Sequence, residues 1–209
     1  IFCKLNPDEA DVSERFAGIA ADLYWKPSAH TCSIRNQYFT ADKEKRQCNS
    51  LGVCDPFRFD ELPDVKTAVY HFAGLVYGDF DGALLEEASK HGKVALDVQC
   101  MLRHVEPDKT MAFHDWAEKK QYLPLIDYLK TDAAEAEIMT GLTDRAAAAR
   151  LLHEWGAKEV VITHNTEVLA YDGEQIYTCP IKARNLSGRT GRGDTTFAGY
   201  ITERQYASV

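Results

Sequence analysis

The chain has 209 residues, 45% hydrophobic and 27% charged, with a formal net charge of −8. That length and composition suit one sizeable globular domain, and no apolar run reaches the ~18 residues of a membrane span. The acidic balance leaves no basic stripe for a phosphate backbone, so neither nucleic acid nor membrane is an expected partner. Six cysteines, Cys3, Cys32, Cys48, Cys54, Cys100 and Cys179, lie far apart, with no C-x-x-C pair and no His/Cys cluster of zinc spacing. Free thiols in a reducing cytoplasm are the expectation.

In chain order, Thr31 to Thr40 (TCSIRNQYFT) and Lys45 to Val53 read as extended segments around the polar turn Ala41 to Glu44. They predict a small β flap, around 28–54, beside the main sheet. Val65 to Phe72 reads as a strand, and Asp79 to His91 as a helix that places Phe80, Ala83, Leu84 and Ala88 near one face. Gly92 stops it, and Lys93 to Val98 (KVALDV) is the next strand. Leu129 to Asp132 is expected as a connection, followed by a helix from Ala133 and an alanine-rich helix from Thr143 to Glu154, with Thr143 or Asp144 as N-cap. Glu159 to Thr163 (EVVIT) has the composition of a buried strand. Glu167 to Tyr171 and Glu174 to Cys179 form a hairpin about Asp172-Gly173. Strands alternating with helices predict βαβ units, hence an α/β sandwich whose mostly parallel sheet carries helices on both faces.

The stretch SGRTGRGDTTFAG, Ser187 to Gly199, holds four glycines, three of them before a helix in which Phe197 and Ile201 share a face. Glycines bend the backbone and let a ligand approach closely, while a helix start offers N–H groups and partial positive charge. The bland reading is a tight turn. The order G-x-x-G-x-G is neither a Walker A loop nor a dinucleotide fingerprint. Asp194 would repel a bound phosphate unless it serves as a base on an attacking hydroxyl, with the N–H groups of Gly191, Arg192 and Gly193 holding the phosphoryl oxygens. Asp97, Gln99 and Arg103 follow a buried strand at the carboxyl edge, where open α/β sheets place ligands. They contact substrate or phosphate, or serve as structural hydrogen-bond partners. Asn36 and Arg46, in the flap, contact substrate or face solvent.

Thr190 to Gly199 resembles the C-terminal signature of the ribokinase/PfkB carbohydrate kinases, commonly Asp-Thr-Thr-Gly-Ala-Gly-Asp-x-Phe-x-Ala-Gly. With Leu96-Asp-Val-Gln99 and Arg103, the variant loop is similar to a branch with inositol- and nucleoside-kinase-like members. Leu129 to Gly141 (LKTDAAEAEIMTG) resembles the family's Leu-Lys-Pro-Asn-x-x-Glu-x-x-x-Leu-x-Gly stretch, and Val160 to Thr163 the strand leading to its nucleotide loop. The resemblance implies a ribokinase-like three-layer sandwich, a single kinase domain over 1–209. It is expected to be incomplete at both ends, because the family's N-terminal Gly-Gly motif is missing from this sequence and members run on past the signature helix.

By the same resemblance Asp194 is the catalytic base and Gly191, Arg192 and Gly193 form the anion hole. Asp132 and Glu135 hold Mg2+ through water, and Thr163 and Asn165 lie near the nucleotide. Gly188 and Arg189 replace the Asp-Thr that helps hold a monovalent cation, and Arg192 replaces a small residue, adding a positive charge. The implied function is ATP- and Mg2+-dependent phosphorylation of a hydroxyl on a small sugar, inositol or nucleoside. The competing expectation is a non-catalytic sugar- or nucleotide-binding relic of the same fold. Cys32, Ile34 and Tyr38 give the flap an apolar face, through which a homodimer is expected.

Overall fold

A computed structural model describes residues 1–39, 46–182 and 191–209, without the side chains of residues 10, 12, 13, 15 and 46. In chain order the strands are β1 Phe2–Leu5, β2 Tyr24–Pro27, β3 Ser33–Tyr38, β4 Arg46–Gly52, β5 Val69–Phe72, β6 Lys93–Asp97, β7 Arg103–Val105, β8 Met111–Phe113, β9 Tyr128–Asp132, β10 Glu159–Thr163, β11 Glu167–Tyr171 and β12 Ile176–Pro180. The α-helices are α1 Gly82–Ser89, α2 Gln99–Leu102, α3 Lys119–Tyr122, α4 Ala133–Thr140, α5 Arg145–Glu154 and α6 Arg192–Glu203. 3-10 segments fill some connections, Pro7–Phe16 between β1 and β2 and the shorter Phe59–Glu61 and Leu123–Leu125.

Six strands form the central sheet in the order β12-β11-β10-β9-β6-β5. β5, β6, β9 and β10 run parallel, while β11 and β12 continue the sheet antiparallel at one edge. Alternation along the strands divides the core. Val94, Leu96 and Leu129 face a cluster with Leu84 and Leu85 of α1, Ala136 and Met139 of α4, and Ala148, Ala149 and Leu152 of α5. Ala95 and Tyr128 face the other way, against Phe197 and Ile201 of α6. The result is the expected three-layer sandwich. Phe197 is fully buried, and a side chain of that kind contributes roughly 1.5–3 kcal/mol by leaving water.

Carboxylates fix the helix starts by accepting from orphan N–H groups of the first turn. Asp81 accepts from Leu84 N at 2.9 Å, and Asp144 from Ala147 N at 2.7 Å. Asp132 and Glu135 exchange hydrogen bonds in a capping box, and Gly141 ends α4 in the left-handed conformation at φ 75°.

Two expectations need correction. Leu129 to Asp132 is not a connection: it belongs to β9, the strand joining β6 to β10. Lys130 and Asp132 hid that strand by breaking its apolar run. The strand expected from Val65 begins only at Val69, since residues 65–67 pair with no sheet neighbour. The flap is present as the antiparallel pair β3–β4, with Asn36 opposite Cys48 and Arg46 opposite Tyr38. Its expected turn, Ala41 to Glu44, lies outside the described residues. The flap leans on the β7–β8 hairpin through an Asn49–Thr110 bridge and a Ser50 N to Lys109 O hydrogen bond of 2.8 Å.

Candidate active site

The parallel strands bring their carboxyl ends to one edge. Register pairs Phe72 with Leu96, Asp97 with Lys130, and Thr163 with Asp132, so charged and polar side chains from three strands stand side by side. This is the edge at which open α/β sheets receive ligands.

Helix α6 starts above it. Gly191 is the N-cap at φ 82°, a left-handed conformation that favours glycine. The first intrahelical backbone bond runs from Thr195 N to Gly191 O at 3.0 Å. The N–H groups of Arg192, Gly193 and Asp194 therefore precede the helical ladder, at its positive end. Asp194 is exposed at the third helical position and Gly193 is half-buried. The preceding residues 183–190, with Gly188 and Arg189 of the departed cation motif, lie outside the described residues.

Beneath Gly193 lies a buried ion pair that sequence reasoning did not single out. Lys130 Nζ donates to Asp97 Oδ2 at 2.9 Å and to Oδ1 at 3.2 Å, with both side chains nearly sealed from solvent. Lys130 Nζ also lies 3.1 Å from where a Cβ on Gly193 would stand. Burial pulls the lysine toward neutrality, but Asp97 and Glu135 outweigh it and keep the charged form favoured. A lysine inside a buried parallel strand needs an anionic partner. That signal was readable only once Leu129 to Asp132 was known to be a strand.

Asp97 Oδ1 additionally accepts from Gln99 N at 3.2 Å, and Gln99 Oε1 accepts from Arg103 Nη2 at 2.5 Å. Arg103 is buried and lies over the Phe113 ring at 5.5 Å. The three sequence-predicted residues thus form one chain leading away from Lys130. Asn36 sits on the sheltered face of the flap with Ile34 and Tyr38. Arg46 is placed by its backbone alone.

Asp132 Oδ1 accepts from Glu135 N and Glu135 Oε2 from Asp132 N, each at 2.8 Å. Glu135 is 3% exposed, and its carboxyl is pushed up to about 7, by burial first and by the Asp132 charge second. Two adjacent hard oxygen donors suit Mg2+ held through water. Thr163, Asp132's partner across the strands, donates to Thr131 O at 3.5 Å, and Asn165 is exposed in the tight β10–β11 turn. Far along α6, Glu159 of β10 binds Arg204 through two oxygens, at 2.6 and 2.9 Å, and accepts from Tyr200 Oη at 2.6 Å. His71 at the end of β5 packs edge-on against Phe197, ring centroids 5.0 Å apart.

A glycine-capped helix start thus stands over the charged carboxyl edge of an α/β sheet. The family follows from the sequence: residues 42–205 match the pfkB family of carbohydrate kinases, and the chain belongs to it. Among solved structures, a pyrophosphate-dependent kinase of the ribokinase family is 27% identical, with a TM-score of 0.91 over 100% of this chain and 74% of its own. A pyrophosphate-dependent myo-inositol-1 kinase converted into a myo-inositol-3 kinase by two substitutions is 27% identical, with a TM-score of 0.88 over 98% of this chain and 70% of its own. A cytidine kinase from Thermococcus kodakarensis is 36% identical over 85 residues, spanning 39% of this chain and 31% of its own length. The match thus spans about a third of that curated relative. The fold is ribokinase-like.

Proposed function

We propose that this protein transfers a phosphoryl group to a hydroxyl of a small sugar, inositol or nucleoside, with Asp194 as the base. The observation that carries this reading is the placement of an exposed carboxylate beside the unladdered N–H groups of α6, above the Lys130–Asp97 pair. Asp194 takes the proton of the attacking hydroxyl, and the N–H groups of Gly191, Arg192 and Gly193 hold the oxygens of the transferring group in line with it. Lys130 supports the floor under Gly193, and the Arg192 side chain adds positive charge. Asp97, Gln99 and Arg103, with Asn36 and Arg46 of the flap, orient the acceptor. Asp132 and Glu135 would hold Mg2+ through water, whose charge offsets that of the donor phosphates.

ATP is the donor that the signature implies, with Thr163 and Asn165 beside it. Pyrophosphate is the second reading, favoured by the two pyrophosphate-dependent relatives that span nearly the whole chain. On this reading residues 1–209 belong to one kinase domain with an inserted flap, acting in the cytoplasm. Among the described residues no helix is long and apolar enough to cross a membrane. The same reading includes a homodimer through the flap, where Phe39 and Leu51 stand exposed, which sedimentation velocity tests directly.

The deciding experiment offers the full-length protein Mg2+ with ATP or with pyrophosphate, across a panel of sugars, inositols and nucleosides, and detects phosphorylated product by mass spectrometry. Product is expected from one compound class and one donor, falling about 100- to 10,000-fold in Asp194→Asn with the fold retained. Silence with both donors would replace the kinase by a sugar- or nucleotide-binding protein of the same fold.

A further inference from the structure

Cys32, Cys54 and Asp79 are separated by tens of residues, yet the structure brings one ligand atom of each within 4.8 Å of the other two. Several contacts fix this arrangement. Phe57 N donates to Asp79 O at 2.9 Å, drawing the segment after Cys54 onto the loop that carries Asp79. Asp55 N donates to the buried Ser28 Oγ at 2.9 Å, joining that segment to the chain that leads into Cys32. Gly74 allows the close packing, since a Cβ there would meet Phe80 and Cys100 at 2.7 Å and Asp79 Oδ2 at 3.2 Å.

The aspartate is oriented like a metal ligand. Its Oδ2 accepts from Leu75 N at 2.6 Å and Val76 N at 3.0 Å, while Oδ1 turns toward Cys32 Sγ at 3.9 Å. Asp79 is 2% exposed and Cys54 6%, yet both residues, with Cys3 and Cys32, line a cleft of about 1480 Å³ that gives solvent access to the cluster. Tetrahedral zinc bonds of about 2.3 Å to sulfur and 2.0–2.2 Å to oxygen hold such ligand atoms about 3.5–3.8 Å apart, so the side chains need only a small contraction.

We propose that Cys32, Cys54 and Asp79 form a binding site for a thiophilic divalent cation of the zinc class, with its fourth position open to water from the cleft. Binding converts two thiols into metal thiolates and releases up to two protons to solvent, with no oxidant or reductant required. Cys32 immediately precedes β3 and Cys54 follows β4, so the cation would clamp both feet of the flap. This site is distinct from the Mg2+ position at Asp132 and Glu135, and the inference stands whether or not the protein is a kinase.

The test treats reduced, chelator-stripped full-length protein with Cd2+, reading the ultraviolet thiolate-to-cadmium band, and with Zn2+, reading retained metal by mass spectrometry after desalting. One equivalent per chain, with the band saturating at that ratio, is expected. Cys32→Ser, Cys54→Ser and Asp79→Asn should each weaken binding at least about tenfold, while Cys179→Ser, at an exposed site, leaves it unchanged. Retention far below one equivalent in the wild type overturns the site, and so does full retention in a Cys32→Ser/Cys54→Ser double variant. The wild-type stoichiometry and band decide between site and no site by themselves, so variants that fail to fold do not remove the test. A wild-type pair that closes to a disulfide and binds no cation after reduction also overturns it.

Discussion

Lys130 of β9 and Asp97 of β6 are register partners on the face covered by α6, and their buried ion pair closes at 2.9 Å directly beneath Gly193. Two charges removed from water stabilise a fold only weakly as a pair, but leaving one of them alone is costly, about 3–5 kcal/mol. Lys130→Met and Asp97→Leu should each lower stability by about that amount in urea unfolding. The double variant should recover most of it while remaining inactive. Additive losses would show that the two side chains are not coupled.

Gly193 is where this pair meets the helix. Its backbone needs no left-handed conformation, so Gly193→Ala adds only a methyl group, 3.1 Å from an Nζ that Asp97 holds in place. Either the lysine or the start of α6 must shift by a few tenths of an ångström. Turnover is expected to fall about tenfold or more, because donors to a developing oxyanion lose much of their effect when misplaced. The melting temperature should change little. Unaltered kinetics would remove Gly193 from the site.

Glu135 gives a pH signature. Its folded-state value, about 7 against an ordinary 4.5, means that the fold favours the protonated form. Its contribution to stability is therefore complete below pH about 4.5 and is lost as pH rises through about 7. Glu135→Gln, a neutral mimic that can still close the capping box, should lack this loss and gain on the wild type across that window by roughly 1–3 kcal/mol. Parallel stability profiles for the two proteins would contradict the assignment.

Glu159 anchors α6 far from its N-terminus. It binds Tyr200 on the far half of α6 and Arg204, the residue that caps its C-terminus, and a charged hydrogen bond is worth about 1.5–3 kcal/mol. Glu159→Gln should loosen α6, seen as faster amide exchange in 192–204, and lower kcat with KM nearly unchanged. Restoration by Glu159→Asp would argue for the charge over the shape.

Much of this protein was legible in its residues. Apolar runs such as EVVIT, an N-cap at Thr143 or Asp144 that the structure resolves as Asp144, and the spacing of Phe197 and Ile201 depend on local periodicity and nearby backbone groups, which a sequence displays. The glycines before Asp194 likewise marked the start of α6, in whose first turn Asp194 stands. What the sequence could not display were relationships made by register and crossover. Leu129 to Asp132 looked like a connection because two charged side chains interrupt it, and only pairing with β6 and β10 shows that Lys130 is buried against Asp97. Cys32 and Cys54, unremarkable by spacing, meet Asp79 because the flap returns to its own base. Burial and ion pairing are properties of the packed sheet, and a chain carries no local mark of the partner that its strand order will supply.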